Sequence, residues 1–170
     1  NSLVSSSAEV SAAWAQVENV YQRRADLIPN LVATVKGYAE HESETLAAVV
    51  EARSKATSVT ISPEELNEES IAAFQAAQNN LSGALGRLIA IAENYPELTA
   101  SQNFSELQAQ LEGTENRISV ERQKFNDTAL AYNKQVKMFP SNIVASIFGL
   151  EQKGYFKAAE GAQNAPVVEF

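Results

Sequence analysis

Residues 104–139 read FSELQAQLEGTENRISVERQKFNDTALAYNKQVKMF. Every seventh position is apolar, and Phe104, Leu111, Ile118, Phe125, Tyr132 and Phe139 form one unbroken column. No proline interrupts the span, and its only glycine is Gly113. The spacing predicts a helix about 50 Å long, at about 1.5 Å per residue. Short helices cannot cover a stripe of that length, so its partners must be long as well. Glu115, Glu121 and Arg122 border the column and narrow the stripe at its middle.

Upstream, Val10, Trp14, Val17, Tyr21 and Ile28 repeat at helical spacing, with Arg24 at the missing step. Ala13, Val20 and Leu27 widen this into a core-facing stripe. Pro29 disfavours helical geometry at Ile28 and is tolerated in a first turn, so a new helix is expected to begin there. A kinked but continuous helix is the alternative. Leu31, Val32, Val35, Tyr38, Leu46, Val49 and Val50 continue the pattern, with Glu42 at a core-like step. Ser62, Pro63 and Glu65 read as a capped helix start. Phe74, Leu81, Leu85, Leu88, Ala92 and Tyr95 follow, with Gln78 among them, and Pro96 ends that run. Thr99 with Gln102 offers a cap for the long helix, and Pro140 ends it.

These signals predict an all-α chain: one domain over 1–170, an antiparallel up-and-down four-helix bundle with long helices. The expected helices cover 3–27, 29–56, 63–95 and 100–139, with a short C-terminal helix at 142–148. An extended tail follows. A three-helix coiled coil with the first two runs fused is the alternative architecture. Ile143, Val144, Ile147, Phe148 and Leu150 are expected to lie as a lid on the bundle end. A partner or membrane-surface contact is the other reading of that apolar set.

Composition narrows the function. The chain has no cysteine, which removes disulfides, thiolate metal sites and cysteine nucleophiles. Its net charge of −8 opposes nucleic-acid phosphates, so no nucleic acid is expected as a partner. His41, the only histidine, opens the run His41-Glu42-Ser43-Glu44-Thr45, where a zinc-protease helix would need a second histidine at Thr45. No Glu-x-x-His occurs, so a carboxylate di-metal bundle site is not expected either. No catalytic residue, metal or cofactor is assigned. Arg24, Glu42, Gln78, Glu121 and Arg122 each replace an apolar residue on a stripe. Buried charges need partners, so these are expected to set helix register or to form a small polar pocket.

Several longer runs then carry a resemblance. Ala13-Trp14-Ala15, Arg23-Arg24-Ala25-Asp26-Leu27-Ile28-Pro29-Asn30-Leu31-Val32 and Val35-Lys36-Gly37-Tyr38-Ala39 are three of them. Glu93-Asn94-Tyr95-Pro96-Glu97-Leu98, Glu115-Asn116-Arg117-Ile118, Phe125-Asn126-Asp127, Tyr132-Asn133 and Phe139-Pro140-Ser141-Asn142 are others. With the closing Pro166-Val167-Val168-Glu169-Phe170, the chain closely resembles the LemA family along nearly its whole length. The resemblance implies a four-helix bundle and a single membrane-spanning helix upstream of Asn1. It implies no enzymatic activity, no cofactor and no catalytic residues.

The expectation is a membrane-tethered, non-enzymatic interaction or scaffold domain, single-pass anchored at the cell membrane and facing the extracytoplasmic (periplasmic) side. Its partner is an unidentified protein or a second copy of itself. Candidate partner surfaces are the turn around Arg23, Arg24, Asp26 and Asn30, and the end from Phe139 to Ile147 and Phe148. The alternative is a ligand-binding or sensory bundle whose pocket is built from Glu42, Gln78, Glu121 and Arg122.

Overall fold

The computed structural model describes residues 2–138 and 141–157. Among them the helices are α1 (Ser2–Lys36), α2 (Ser43–Ser58), α3 (Glu68–Ala92), α4 (Pro96–Thr99), α5 (Gln102–Lys137) and α6 (Ser141–Phe148). A 3-10 turn covers Pro63–Glu65, and no strand occurs among the described residues. The all-helical expectation holds. Two of its boundaries do not.

The first helix does not stop at Pro29 but runs through it to Lys36. Proline lacks the N–H that would bond the carbonyl four residues back, and inside a helix this costs about 3 kcal/mol. Here the deserted acceptor is the carbonyl of Ala25, and Arg53 on α2 donates its Nε–H to that oxygen at 2.8 Å. A neighbouring helix thus supplies the bond that Pro29 cannot make. The break falls instead at Gly37–Glu42, where Ala39 closes the last turn onto the Val35 carbonyl at 2.8 Å. The expected helices 3–27 and 29–56 are therefore Ser2–Lys36 and Ser43–Ser58, and Tyr38 lies in the connection, exposed.

The third helix starts later than 63. Ser62 makes no side-chain cap, and Pro63 opens only the 3-10 turn. Asn67 caps α3: its Oδ1 accepts the Ser70 N–H at 2.8 Å, while Ser70 Oγ accepts the Asn67 N–H at 3.2 Å. At α5, Ser101 replaces Thr99 as the cap, with Oγ accepting the Phe104 N–H at 3.1 Å. At the end of α6, Gly149 has φ +70° and Leu150 donates to the Ala145 carbonyl at 2.8 Å, closing the helix in the left-handed manner glycine favours.

The chain divides into two compact units. One holds Val20–Thr60 and Phe74–Ile118. In it α1, α2, α3 and α5 alternate in direction. Ala25 meets Arg53, and Thr34 accepts from Asn103 whereas Arg24 reaches Glu115, so α2 and α5 both run against α1. Ile28, Leu31, Val35, Leu46, Val49, Leu81, Leu88, Phe104 and Leu111 share one buried core. Each large apolar side chain so buried contributes about 1.5–3 kcal/mol relative to exposure.

The other unit holds Asn1–Asn19, Ile61–Ala73 and Ser119–Phe170. Its core is aromatic. Trp14 stacks on Phe156 at 6.0 Å between ring centroids, and Phe125 meets both rings edge-on at 5.5 and 5.6 Å. The column of α5 is buried from Phe104 through Leu111, Ile118 and Phe125 to Tyr132. Phe139, Pro140 and the tail 161–170 lie outside the described residues.

A double-mutant cycle tests the repair at Pro29. Arg53→Ala leaves the Ala25 carbonyl without a partner and is expected to cost about 1–3 kcal/mol in urea unfolding. In a Pro29→Ala background residue 29 regains its own N–H, and the same substitution is expected to cost markedly less. Equal costs in both backgrounds would remove the link between Arg53 and Pro29.

Candidate functional site

Arg24 is the most deeply buried charge of the Val20–Thr60 and Phe74–Ile118 unit, at 1% exposure. Its NH1 donates to Ser82 Oγ at 2.6 Å and to Glu115 Oε1 at 2.9 Å. Its NH2 donates to both the side-chain oxygen and the backbone carbonyl of Gln78, at 2.7 and 3.1 Å. Tyr21 lies beneath the guanidinium at 5.2 Å and meets Phe74 edge-on. Three helices thus converge on one cation, as buried charge requires. The counter-charge is open on one side: Glu115 is 46% exposed and faces a groove of about 570 Å³ lined by Leu85, Gly86, Leu111 and Asn116.

The other polar residues singled out in the sequence do not gather around Arg24. Only Gln78 does. Glu42, half-buried, accepts a hydrogen bond from the Tyr95 hydroxyl at 3.0 Å, which ties the α1–α2 connection to the end of α3. Glu121 and Arg122 belong to the other unit. Glu121 sits 3.7 Å from Lys124, and Arg122 donates to the Lys157 carbonyl at 2.7 Å. Glu42 and Gln78 thus belong to separate networks within one unit, and Glu121 and Arg122 to separate networks within the other.

The first candidate surface changes character too. No turn exists at Arg23 to Asn30, which is mid-helix. Arg23, Asp26 and Asn30 are exposed along α1, while Arg24 points inward. Asp26 accepts from Gln22 at 2.8 Å, and the Asn30 carbonyl accepts from Thr34 at 2.8 Å. The second surface stands out more. On α6 only Ala145 is buried among the described side chains, whereas Ile143, Ile147 and Phe148 are 50%, 73% and 66% exposed. The lid expectation is overturned, because α6 turns these side chains away from the core it was expected to cover. Phe139 lies outside the described residues.

One feature was missed in the sequence. Residues 150–157 run without regular structure along α5 as a strap. Asn133 takes both backbone groups of Lys153: its Oδ1 accepts the N–H at 2.7 Å, and its Nδ2 donates to the carbonyl at 2.9 Å. Asn126 does the same for Phe156, at 2.9 and 3.4 Å. Arg122 adds the bond to Lys157 and lies 4.9 Å over the Phe156 ring. The Lys153 ammonium lies 5.6 Å over the Tyr132 ring and donates to the Pro63 carbonyl at 3.2 Å. Burial pulls its pKa down, against the opposing pull of Glu64 and Glu151. The available signal was the seven-residue spacing of Asn126 and Asn133 beside the apolar column.

No group of three or more histidine, cysteine, aspartate or glutamate side chains able to hold a metal occurs among the described residues. The chemistry on view is hydrogen bonding and packing: side chains that hold other side chains or backbone.

Two outcomes check these networks. Gln78→Leu removes one of the two acceptors of Arg24 NH2, leaving the residue 78 carbonyl, and is expected to cost about 1–3 kcal/mol. Glu115→Gln, at a half-exposed carboxylate, is expected to cost about 1 kcal/mol or less. The hydrogen bond to Glu42, then burial, raises the Tyr95 phenol above its ordinary pKa. The folded chain therefore holds that proton longer than the unfolded chain does. The resulting stability is complete below the ordinary phenol value of about 10 and is lost as pH rises through the raised value. Tyr95→Phe is expected to lower the urea midpoint at neutral pH, and its gap from wild type should narrow above pH about 10.

Magnetosome protein MamQ 2 of Paramagnetospirillum magneticum is 27% identical over 99% of this chain and 68% of its own length. Magnetosome protein MamQ of Magnetospirillum gryphiswaldense is likewise 27% identical, over the same shares. Protein LemA of Metamycoplasma hominis is 25% identical over 94% of this chain and 69% of its own length. The LemA family model matches residues 13–170, so the chain belongs to the LemA family.

Proposed function

We propose that this chain is the non-enzymatic interaction domain of a membrane-tethered protein, and that it docks through the exposed apolar face of α6. The observation that carries this reading is the trio Ile143, Ile147 and Phe148, at 50%, 73% and 66% exposure on one short helix with no charged residue. Exposed hydrophobic groups on a soluble surface are ordinary when scattered singly; three on two turns of one helix mark a contact surface. Against catalysis stands the use of the buried polar groups, which hold one another or the backbone: Arg24 with Gln78, Ser82 and Glu115, and Asn126 and Asn133 with the strap.

The tether is proposed from family membership. No helix among the described residues is long and apolar enough to cross a membrane. A single-pass anchor with the bundle on the extracytoplasmic side is the arrangement we favour. The partner is a protein, or a second copy, presenting an apolar surface that matches α6.

In-cell cross-linking of the full-length, membrane-anchored protein tests the reading. Ile147→Ser and Phe148→Ser alter exposed side chains, so helicity and abundance are expected to match wild type. A recurrent cross-linked partner is expected to be lost in both variants and kept in Arg23→Ala, on the exposed face of α1. Retention of that partner in both α6 variants would overturn the α6 surface.

A further inference from the structure

The strap 150–157 is held in the manner of a bound peptide. Asn126 and Asn133 each satisfy one backbone N–H and one backbone carbonyl, the two groups an added strand would satisfy. Such bonds recognise extended backbone without reading which chain it belongs to. Selectivity comes from two side-chain positions. A Cβ at Gly154 would come within 2.8 Å of the Asn67 carbonyl carbon and oxygen and of the Glu68 Cα, all backbone atoms that cannot move aside cheaply. Gly154 also donates to the Leu66 carbonyl at 3.1 Å. Two residues on, Phe156 fills the aromatic pocket of Trp14 and Phe125 and is 4% exposed.

The groove therefore demands glycine and, two residues on, an aromatic ring, while the hydroxyl of Tyr155 between them accepts from Asn133 Nδ2 at 2.7 Å. The chain's own Gly154-Tyr155-Phe156 meets this, and a second copy carries it by definition. The connection leading to the strap buries little side-chain surface. The described side chains of α6 are exposed except Ala145, and Gly149 turns the backbone at φ +70°. Residues 148–153 also form one wall of an open cavity of about 460 Å³ shared with Ser7, Ser11 and Asn67. The strap is thus buried at Phe156 and exposed at Glu151 and Gln152, where it leaves α6. A segment whose bonds are identical in cis and in trans can be exchanged between copies at little cost.

We infer that the groove formed by Asn126, Asn133, Trp14 and Phe125 is a peptide-binding site for the Lys153–Lys157 segment, filled within one chain or by the same segment of a second copy. Exchange of straps then links molecules pairwise. The link uses a surface separate from the outward face of α6.

Complementation tests this with the full chain. Asn126→Ala with Asn133→Ala gives a chain with an intact strap and a disabled groove, and Phe156→Ala gives the reverse. Each alone is expected to be monomeric by native mass spectrometry, and their mixture is expected to form a one-to-one heterodimer. A second arm does not depend on the doubly substituted chain folding. A fluorescent peptide of residues 150–157 is titrated against the Phe156→Ala chain, and against wild type as a self-occupied control. The Phe156→Ala chain is expected to bind it, and the same peptide with Gly154→Ala is expected to bind about tenfold more weakly or worse, which corresponds to about 1.4 kcal/mol. Absence of peptide binding by a folded Phe156→Ala chain would overturn the site, as would equal binding of the two peptides. Peptide binding without a heterodimer would overturn exchange between copies. Ile147→Ser is expected to leave both readouts unchanged, so a failed α6 surface and a failed groove are told apart.

Discussion

A guanidinium held almost out of reach of water constrains the helices around it. Arg24 can be charged in the interior only while α3 offers Gln78 and Ser82 and α5 offers Glu115 at hydrogen-bond distance. A slip of either helix by one residue would turn those acceptors away, and an unpaired buried charge costs several kcal/mol. Apolar packing alone tolerates sliding, since one leucine resembles the next. The polar centre removes that freedom, as a buried asparagine does in a coiled coil. On the strap, Asn126 and Asn133 hold the backbone of Phe156 and Lys153, while the close approach at Gly154 and the burial of Phe156 fix the register.

The long column of α5 was legible because a seven-residue apolar repeat has few readings other than a long helix packed on long helices. Five of its six members are buried where the period put them, and Phe139 lies outside the described residues. Arg24 and Gln78 were legible for the same reason, as polar residues on apolar stripes. Their partners were less so. Ser82 carries no periodic signal, and Glu115 reads as an ordinary flanking charge. Glu42 was placed on a helical stripe that the break at Gly37–Glu42 interrupts, so it meets Tyr95 instead. The strap was hidden for a different reason: the spacing of Asn126 and Asn133 shows in the sequence, but the backbone groups they grip do not.

The misread boundary at Pro29 has the same origin. Local rules treat a proline as a helix start because they consider only the hydrogen bonds a segment can make with itself. The donor that keeps α1 whole comes from Arg53, on a different helix. Likewise α6 was expected to fold inward because its residues are apolar, yet composition does not say which way a short helix turns its side chains.

The bond from Arg53 to the Ala25 carbonyl bears on the order in which the chain assembles. Until Arg53 arrives, the first helix has a gap in its ladder at Pro29, and the ends on either side are free to bend there. As the chain emerges from its N-terminus, this helix is made before the residue that completes it. The completion of its hydrogen-bond ladder at Pro29 therefore waits on the following helix. The long first helix is in this sense a product of its neighbour's docking, rather than the post against which the neighbour docks.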